Sequence, residues 1–430
     1  MSQYGAIDAA ARAVARRMLR SLRGGRITIV DGAAREQFGA PGDLDATLHV
    51  LHPSLWRRAL GGGGVGFAEA YVDGLWDSDD IVPVLRVLAR NIDRLNRVLR
   101  NPLTRVRTLT APLDRFRAPD EATDRRNIHA HYDLGDEFFK LFLDPTMAYS
   151  CAVFERPDMS LEEASVAKFD NLCTALGLTR DSHLLEIGTG WGGLAVHAAR
   201  RYGCRVTTTT ISERQFAYAQ DLVRREELQG RVEVLREHYR DLRGTYSHLV
   251  SVEMIEAVDW RLYDEFFATI QRLLRPDGVA ALQAIVVDDR EFERSKRWKD
   301  FIKRYIFPGG CLPSVAEMLH TTRRATDLSL VHLRDIGPHY ALTLRHWRNA
   351  LDAHAEQVRA LGHDERFLRT WRYYFAYCEA GFAERRISDV QVLFARPGWR
   401  AQPWAVRDAQ SAAAVPDLHA FTGLYKTTLS

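Results

Sequence analysis

At 430 residues the chain is longer than one hydrophobic core usually serves, so two domains are expected. Its 46% hydrophobic and 27% charged residues exclude a disordered or fibrous chain, and 59 basic against 56 acidic side chains is too even a balance to indicate nucleic acid. Cys151, Cys173, Cys204, Cys311 and Cys378 are scattered without a CxxC pair, which argues against a disulfide framework or a metal site and fits a reducing cytoplasm.

Residues 1–23 carry arginines among alanines without an apolar core, so no signal peptide is expected. No window approaches the roughly 20 apolar residues of a spanning helix, so any membrane contact is peripheral. A strand is predicted at Ile27–Val30, followed by the glycine cluster Gly61–Gly66. Ile81, Leu85, Leu88, Ile92, Leu95 and Leu99 then recur at helical spacing, with Arg86, Arg90, Arg94, Arg97 and Arg100 between them. Such a helix either lies on an anionic bilayer or docks on its own domain with its arginines in water. Residues 1–116 read as an N-terminal unit and 117–126 as a charged linker. A second domain, 127–430, follows.

In that domain helices and strands alternate: helix Leu161–Leu176, strand Ser182–Ile187, helix Leu194–Arg201, strand Arg205–Thr210 and helix Glu213–Arg225. Strands near Val232–Arg236 and His248–Val252, helix Tyr263–Leu274 and strand Val279–Val286 continue the pattern, which predicts an α/β, doubly wound Rossmann-like sheet. Residues Arg290–Leu328 break the alternation and read as a helical cover.

Leu185-Glu-Ile-Gly-Thr-Gly-Trp-Gly-Gly193 places a Gly-x-Gly turn after a strand carrying Glu186. Gly188, Gly190 and Gly192 let backbone approach a ligand where a Cβ would block it. The acid within the strand and the form of the turn favour S-adenosylmethionine (SAM) over a pyrophosphate-bearing cofactor. No acid ends the second strand, which runs Thr207-Thr-Thr-Thr-Ile-Ser212, so ribose or adenine contacts fall to Thr210, Ile211 or Gln215. Ser251-Val-Glu-Met-Ile-Glu256 stands where a nitrogen methyltransferase would carry an Asn-Pro-Pro-Tyr-like segment.

Several segments together resemble the cyclopropane-fatty-acyl-phospholipid synthase family. They are His129–Phe139, Met147-Ala-Tyr-Ser-Cys-Ala152, Leu185–Gly193, Thr210–Gln215, Tyr239-Arg-Asp-Leu242, Tyr305–Gly310 and His339–Leu344. Gly66–Trp76 is similar to the N-terminal lipid-binding domain of the two-domain bacterial members. The resemblance implies a class I methyltransferase fold with a smaller N-terminal α+β domain, and methyl transfer to a cis double bond of a membrane phospholipid. It implies a cytoplasmic homodimer held peripherally at the inner membrane face. It adds Tyr149, Ser150 and Tyr239 to the cofactor residues. It also implies a bound bicarbonate as proton acceptor, held by Cys151, Glu256, Tyr340 and the backbone of Ile285.

Methyl addition to an alkene leaves a carbocation, which aromatic faces stabilise. Of Tyr305, Phe307, Tyr340, Trp347, Phe367, Trp371, Tyr373, Tyr374, Phe375 and Tyr377, two or three are expected to face substrate. A base then removes a proton, giving a cyclopropane ring or a methylene-bearing or methyl-branched chain, with the ring slightly favoured. The chain departs from the family at Gln283, where the family has His, at Glu253, where it has a small residue, and at Ala257. Gln carries no proton near neutral pH. The expectation is that the Glu253 carboxylate enters the anion site in place of bicarbonate, or else that bicarbonate still binds. A soluble small-molecule methyltransferase and a lipid-binding protein with a vestigial cofactor fold are the competing readings.

Overall fold

The computed structural model describes residues 5–99 and 134–400, with no side-chain detail for 97–99. The predicted linker, Arg100 and residues 129–133 of the His129–Phe139 segment lie outside the described residues. The chain divides into two compact units, and neither is a continuous stretch. The first comprises 1–134, 290–311 and 344–387, and the second comprises 135–289, 312–343 and 388–430.

In the first unit, strands β1 (Gly25–Asp31), β2 (Ala34–Ala40), β3 (Asp45–Val50) and β4 (Trp76–Asp77) form a sheet in the order β2-β1-β3-β4. The glycine cluster lies inside the helix Leu55–Val72, which breaks at Gly63 (φ 59°, ψ −141°). Gly66 is forced by packing, because a Cβ there would stand 2.2 Å from the Arg58 carbonyl oxygen. The helix ends on Tyr71, whose ring lies 5.1 Å from that of Trp76 and 5.7 Å from that of Tyr373 on the helix Glu365–Ala383. Arg369 covers the Tyr71 ring and reaches Asp77 at 2.8 Å.

The predicted basic helix is two helices, Ile81–Arg90 and Ile92–Leu99, broken at Asn91. Asn91 is buried, and its amide holds the Arg23 and Val87 carbonyls at 2.9 Å each. Arg86 and Arg90 reach Glu384 at 2.9 and 2.8 Å, and Arg90 also pairs with Asp43 at 2.6 Å. These two arginines therefore face acids of their own unit instead of water or lipid.

The second unit is built on a seven-stranded sheet of order β10-β11-β9-β8-β5-β6-β7. Its strands are β5 (His183–Ile187), β6 (Arg205–Thr209), β7 (Val232–Leu235), β8 (Tyr246–Val252), β9 (Leu274–Val287), β10 (Ser329–Asp335) and β11 (Ile387–Ala395). Strands β5 to β9 pair in parallel, as the alternating pattern predicts, and β10 and β11 pair antiparallel. The helix Leu161–Leu176 starts on a Ser160–Glu163 capping box and stops at left-handed Gly177, so its length is set by local chemistry. The expected cover at 290–328 is divided, with 290–311 in the first unit and the remainder, including helix Val315–Ala325, in the second. No helix among the described residues is long and apolar enough to cross a membrane.

Candidate active site

The carboxyl end of β5 leads into a turn with Gly188, Gly190 and Gly192 at φ +102°, +52° and +93°, conformations that L side chains rarely adopt. The Gly188 and Thr189 N–H groups both donate to the Thr209 carbonyl, at 3.1 and 3.0 Å. Those two donors are used inside the protein, where the sequence alone pointed them at a ligand. At Gly190 an added Cβ would meet no atom within 4 Å, whereas at Gly193 it would stand 2.6 Å from the Thr146 carbonyl oxygen. One glycine thus faces open space while the other lets the start of the helix approach the Thr146 backbone.

Glu186 is buried at the end of β5 and accepts from the Thr208 hydroxyl at 2.6 Å, and Thr208 meets Thr189 at 2.7 Å. Burial pushes the Glu186 pKa up to about 8, against the opposing effect of Thr208. A hydroxyl-bearing ligand with a sulfonium charge would add a second polar partner and a further cation to those that Thr208 and Lys168 supply. Thr210 donates to Gln215 at 2.9 Å, and both are buried just past β6, with half-buried Ile211 between them. Tyr239 is buried with its ring edge-on to Phe266, and the ring of Tyr149 meets those of Phe139 and Phe142. Ser150 accepts from the buried ammonium of Lys168 at 2.7 Å.

Beside this turn, strands β8, β9 and β11 bring a second polar group together. Val252 pairs with Gln283 in the β8–β9 register, so Glu253 is the first residue past the strand. Its φ of +48° is unusual for a residue with a side chain, and its N–H donates to the Gln283 carbonyl at 2.8 Å. The Glu253 carboxylate accepts three hydrogen bonds. Oε1 takes the Cys151 N–H at 2.7 Å and Gln283 Nε2 at 2.9 Å, and Oε2 takes the Tyr340 hydroxyl at 2.6 Å. Glu256, in the short turn Ile255–Ala257, accepts from the Ile285 N–H. Its other oxygen is buried without a hydrogen-bond partner.

Gln283 Nε2 also faces Asp389 Oδ2 at 3.1 Å, and Gln391 donates to Gln283 Oε1 at 3.0 Å. Cys151, Gln283, Asp389 and Tyr340 are buried, whereas Glu253 and Glu256 keep some accessible surface. Burial raises the pKa of all three acids. Glu256 reaches about 8, with Glu253 as the second cause, Glu253 is raised, and Asp389 is raised well above the usual range by burial and by both glutamates. Lys168 is the cation that opposes this, and burial lowers its own pKa. The Cys151 thiol, sealed and pushed far up by burial, stays protonated and points to the Ala152 and Ile336 carbonyls. Cys151 therefore enters the cluster through its backbone N–H, and its sulfur is no nucleophile.

The five residues expected to carry chemistry (Cys151, Glu253, Glu256, Gln283 and Tyr340) are brought together, with the Ile285 backbone among them. Of the ten aromatics considered, only Tyr340 belongs to this unit; the other nine are in the first unit. There Trp371 packs on Tyr374 and Phe375, and Trp347 on Phe375. Sequence reasoning missed Thr208, Lys168 and Asp389. Lys168 shares a helix face with Ser165, Phe169 and Leu172, and Asp389 alternates with Gln391 in a strand whose other residues, Ser388 apart, are apolar. A charge in such a position is a signal for a buried partner.

The residues fit SAM: an open glycine turn, a buried acid and the Thr210–Gln215 pair surround one end of the sheet. The family model of mycolic acid cyclopropane synthetases matches residues 120–392. The chain is 38% identical to the tuberculostearic acid methyltransferase UfaA1 of Mycobacterium tuberculosis, across 92% of this chain and 93% of that one. It is 34% identical to the cyclopropane-fatty-acyl-phospholipid synthase of Escherichia coli, across 83% and 89%. The crystal structure of the mycolic acid cyclopropane synthase CmaA1 complexed with SAH and CTAB superposes with a TM-score of 0.60 at 35% identity, covering 63% of this chain and 98% of that one. The chain belongs to the cyclopropane synthase family of SAM-dependent methyltransferases.

Proposed function

We propose that this protein transfers the methyl group of SAM to a cis double bond of an acyl chain in a membrane phospholipid, and that Glu253 accepts the proton the reaction releases. The observation that carries this reading is the Glu253 carboxylate held by Cys151 N–H, Gln283 and Tyr340. Three of the groups that the family resemblance assigns to bicarbonate, or their replacements, are thus engaged by a side chain of the protein itself. Glu253 as a residue is only half-buried, unlike Cys151, Gln283 and Tyr340 around its carboxylate.

Glu186, the Gly188–Gly192 turn, Thr210 and Gln215 would hold SAM, which supplies an electrophilic methyl group. An alkene is a weak nucleophile, so alignment and exclusion of water must lower the barrier. The sealed Cys151–Gln283 side of the cluster keeps water from the base. Glu256, neutral below about pH 8, adds no second negative charge at neutral pH. This leaves Glu253 as the charge nearest a developing cation.

Proton loss from the added methyl group, with its C–H electron pair joining the cationic carbon, closes a cyclopropane. A hydride shift from the methyl-bearing carbon to the cationic carbon, followed by the same proton loss, gives an exocyclic methylene. We place the methylene-bearing chain first, reversing the order set by the sequence alone. Similarity over nine-tenths of the chain to a relative named as a tuberculostearic acid methyltransferase, not as a cyclopropane synthase, supports it. The ring is the second reading, supported by the E. coli synthase. A peripheral location at the inner membrane face and a homodimer complete the proposal.

Expression in a host with mono-unsaturated phospholipids, followed by lipid mass spectrometry, tests the reaction. One added CH2 per acyl chain is expected, and NMR of that lipid separates ring from methylene. Unaltered lipids, with methylation of a water-soluble acceptor instead, would overturn it. For the base, Glu253→Gln is expected to be inactive with or without bicarbonate. Activity restored by bicarbonate returns the anion to the site and removes Glu253 from the role.

A further inference from the structure

One acid beside the base has no part in the reaction described above. Asp389 lies on β11, fully buried, and its Oδ2 accepts from Gln283 Nε2 at 3.1 Å. Its Oδ1 is buried without a hydrogen-bond partner among the described residues, and Gln283 Nε2 bridges the two carboxyls, 2.9 Å from Glu253 and 3.1 Å from Asp389. Two residues on, Gln391 projects from the same face of the strand and fixes Gln283 by donating to its Oε1. The Gln283 NH2 therefore faces three acceptors with two hydrogens: Glu253 at 2.9 Å, Asp389 at 3.1 Å and the Cys151 carbonyl at 3.3 Å.

Two neighbouring carboxylates sharing so few donors do not both ionise, because like charges at short range in a buried site repel strongly. A protonated Asp389 resolves the geometry. Its O–H would then be a donor for Glu253, which would give the orphan oxygen a role. Glu253, Glu256, Lys168 and Cys151 are the titratable groups facing it. The two glutamates favour the neutral acid, Lys168 opposes them, and Asp389 in turn helps keep the Cys151 thiol protonated.

We propose that Asp389 is a positioning residue for the proton acceptor, holding a proton shared with Glu253 so that the pair carries one negative charge. The proposal rests on the reading of Glu253 as the base. Asp389 has no accessible surface and acts through Glu253 alone. When Glu253 takes the substrate proton, the C–H electron pair stays with the carbon skeleton and both acids become neutral. Loss of that proton to water from the accessible side of Glu253 restores the shared state.

The test uses the full-length enzyme, SAM and vesicles of mono-unsaturated phosphatidylglycerol, with kcat followed against pH. The wild type is expected to lose activity on the alkaline side as Asp389 ionises against Glu253. Asp389→Asn keeps a neutral donor, so its kcat stays within a few-fold of wild type at neutral pH and the alkaline fall shifts or disappears. Asp389→Leu removes the donor and is expected to lower kcat about 10–100-fold, with the KM for SAM unchanged. An Asn variant with the wild-type pH profile, or a Leu variant with wild-type kcat, overturns the proposal. Where the Leu variant does not fold, infrared spectra of wild type and Asp389→Asn decide. One protonated-carboxyl band fewer in the variant supports the shared proton, and equal bands overturn it. Bicarbonate-rescued Glu253→Gln defeats the underlying base reading. An inactive Glu253→Gln beside an Asp389→Asn with wild-type behaviour defeats this inference alone.

Discussion

The two units bury acids in opposite ways. In the first, Glu379 is buried on the helix Glu365–Ala383 and meets Arg345 at 3.0 Å and Arg348 at 3.4 Å, while Glu384 meets Arg86 and Arg90. In the second, Glu253, Glu256 and Asp389 are held chiefly by neutral donors, with Lys168 as the nearby cation. Burial pushes the Glu379 pKa up as well, but Arg348 and Arg345 oppose that push and lower the cost of ionising it. Unmatched acids are costly to ionise, and that cost is what turns a carboxyl into a proton acceptor near neutral pH. The same residue type is structural in one region and chemical in the other because of its partners.

Substitutions in the two regions should therefore fail differently. The largest effect is expected at Glu253, where Gln preserves shape but removes the base; kcat should fall by about 10²–10⁴-fold, with the thermal midpoint little changed. A Glu253→Gln enzyme that unfolds but keeps its turnover would erase the distinction. At Glu379 the order reverses. Glu379→Gln removes the buried anion from Arg345 and leaves Arg348 with Asp80 at 3.7 Å, and chemical denaturation should show a loss of about 2–3 kcal/mol while kcat of the folded enzyme is retained.

A pH series sharpens the contrast further. An unfolded glutamate loses its proton near pH 4.5, whereas folded Glu256 keeps it to about 8, so folding takes up a proton across that window. Stability contributed by Glu256 is complete below about pH 4.5 and declines as pH rises toward 8. Glu256→Gln should flatten that decline and raise the thermal midpoint at pH 8 relative to wild type, with little difference at pH 4. An unchanged slope would show that the acid is paired after all. The smallest effect is expected at Thr208→Val, which strips Glu186 of its hydroxyl donor and should raise the KM for SAM by roughly 3–10-fold, equivalent to about 1 kcal/mol.

How far these features were legible in the sequence depended on whether their residues are neighbours in the chain. The cofactor turn occupies nine consecutive residues, and the strand before it and the helix after it follow from alternation, so its place was readable. The acid cluster draws on residues 151, 253, 256, 283, 340 and 389. Cys151, Glu256 and Tyr340 were reached through family motifs, and Glu253 and Gln283 through their departure from them. Asp389 sits in a strand that pairs only after a long excursion of chain, and no local pattern ties it to Gln283. Lys168 reads as an ordinary helix residue until its face is known to be buried. The Asn91 break was missed because the apolar spacing runs through it, while buried hydrogen bonds to Arg23 and Val87 set the helix boundary.

The discontinuous make-up of the two units also bears on how the protein comes into being. The chain passes from one unit to the other five times, after residues 134, 289, 311, 343 and 387. The helix Glu365–Ala383 is needed to cover Tyr71 through Tyr373, and β11 must enter between β10 and β9. The first unit therefore cannot be finished before the helix Glu365–Ala383 has been made, nor the second before β11 has been made. The strand β11 also brings Asp389 and Gln391, so the proton-handling network cannot close before that strand is in place.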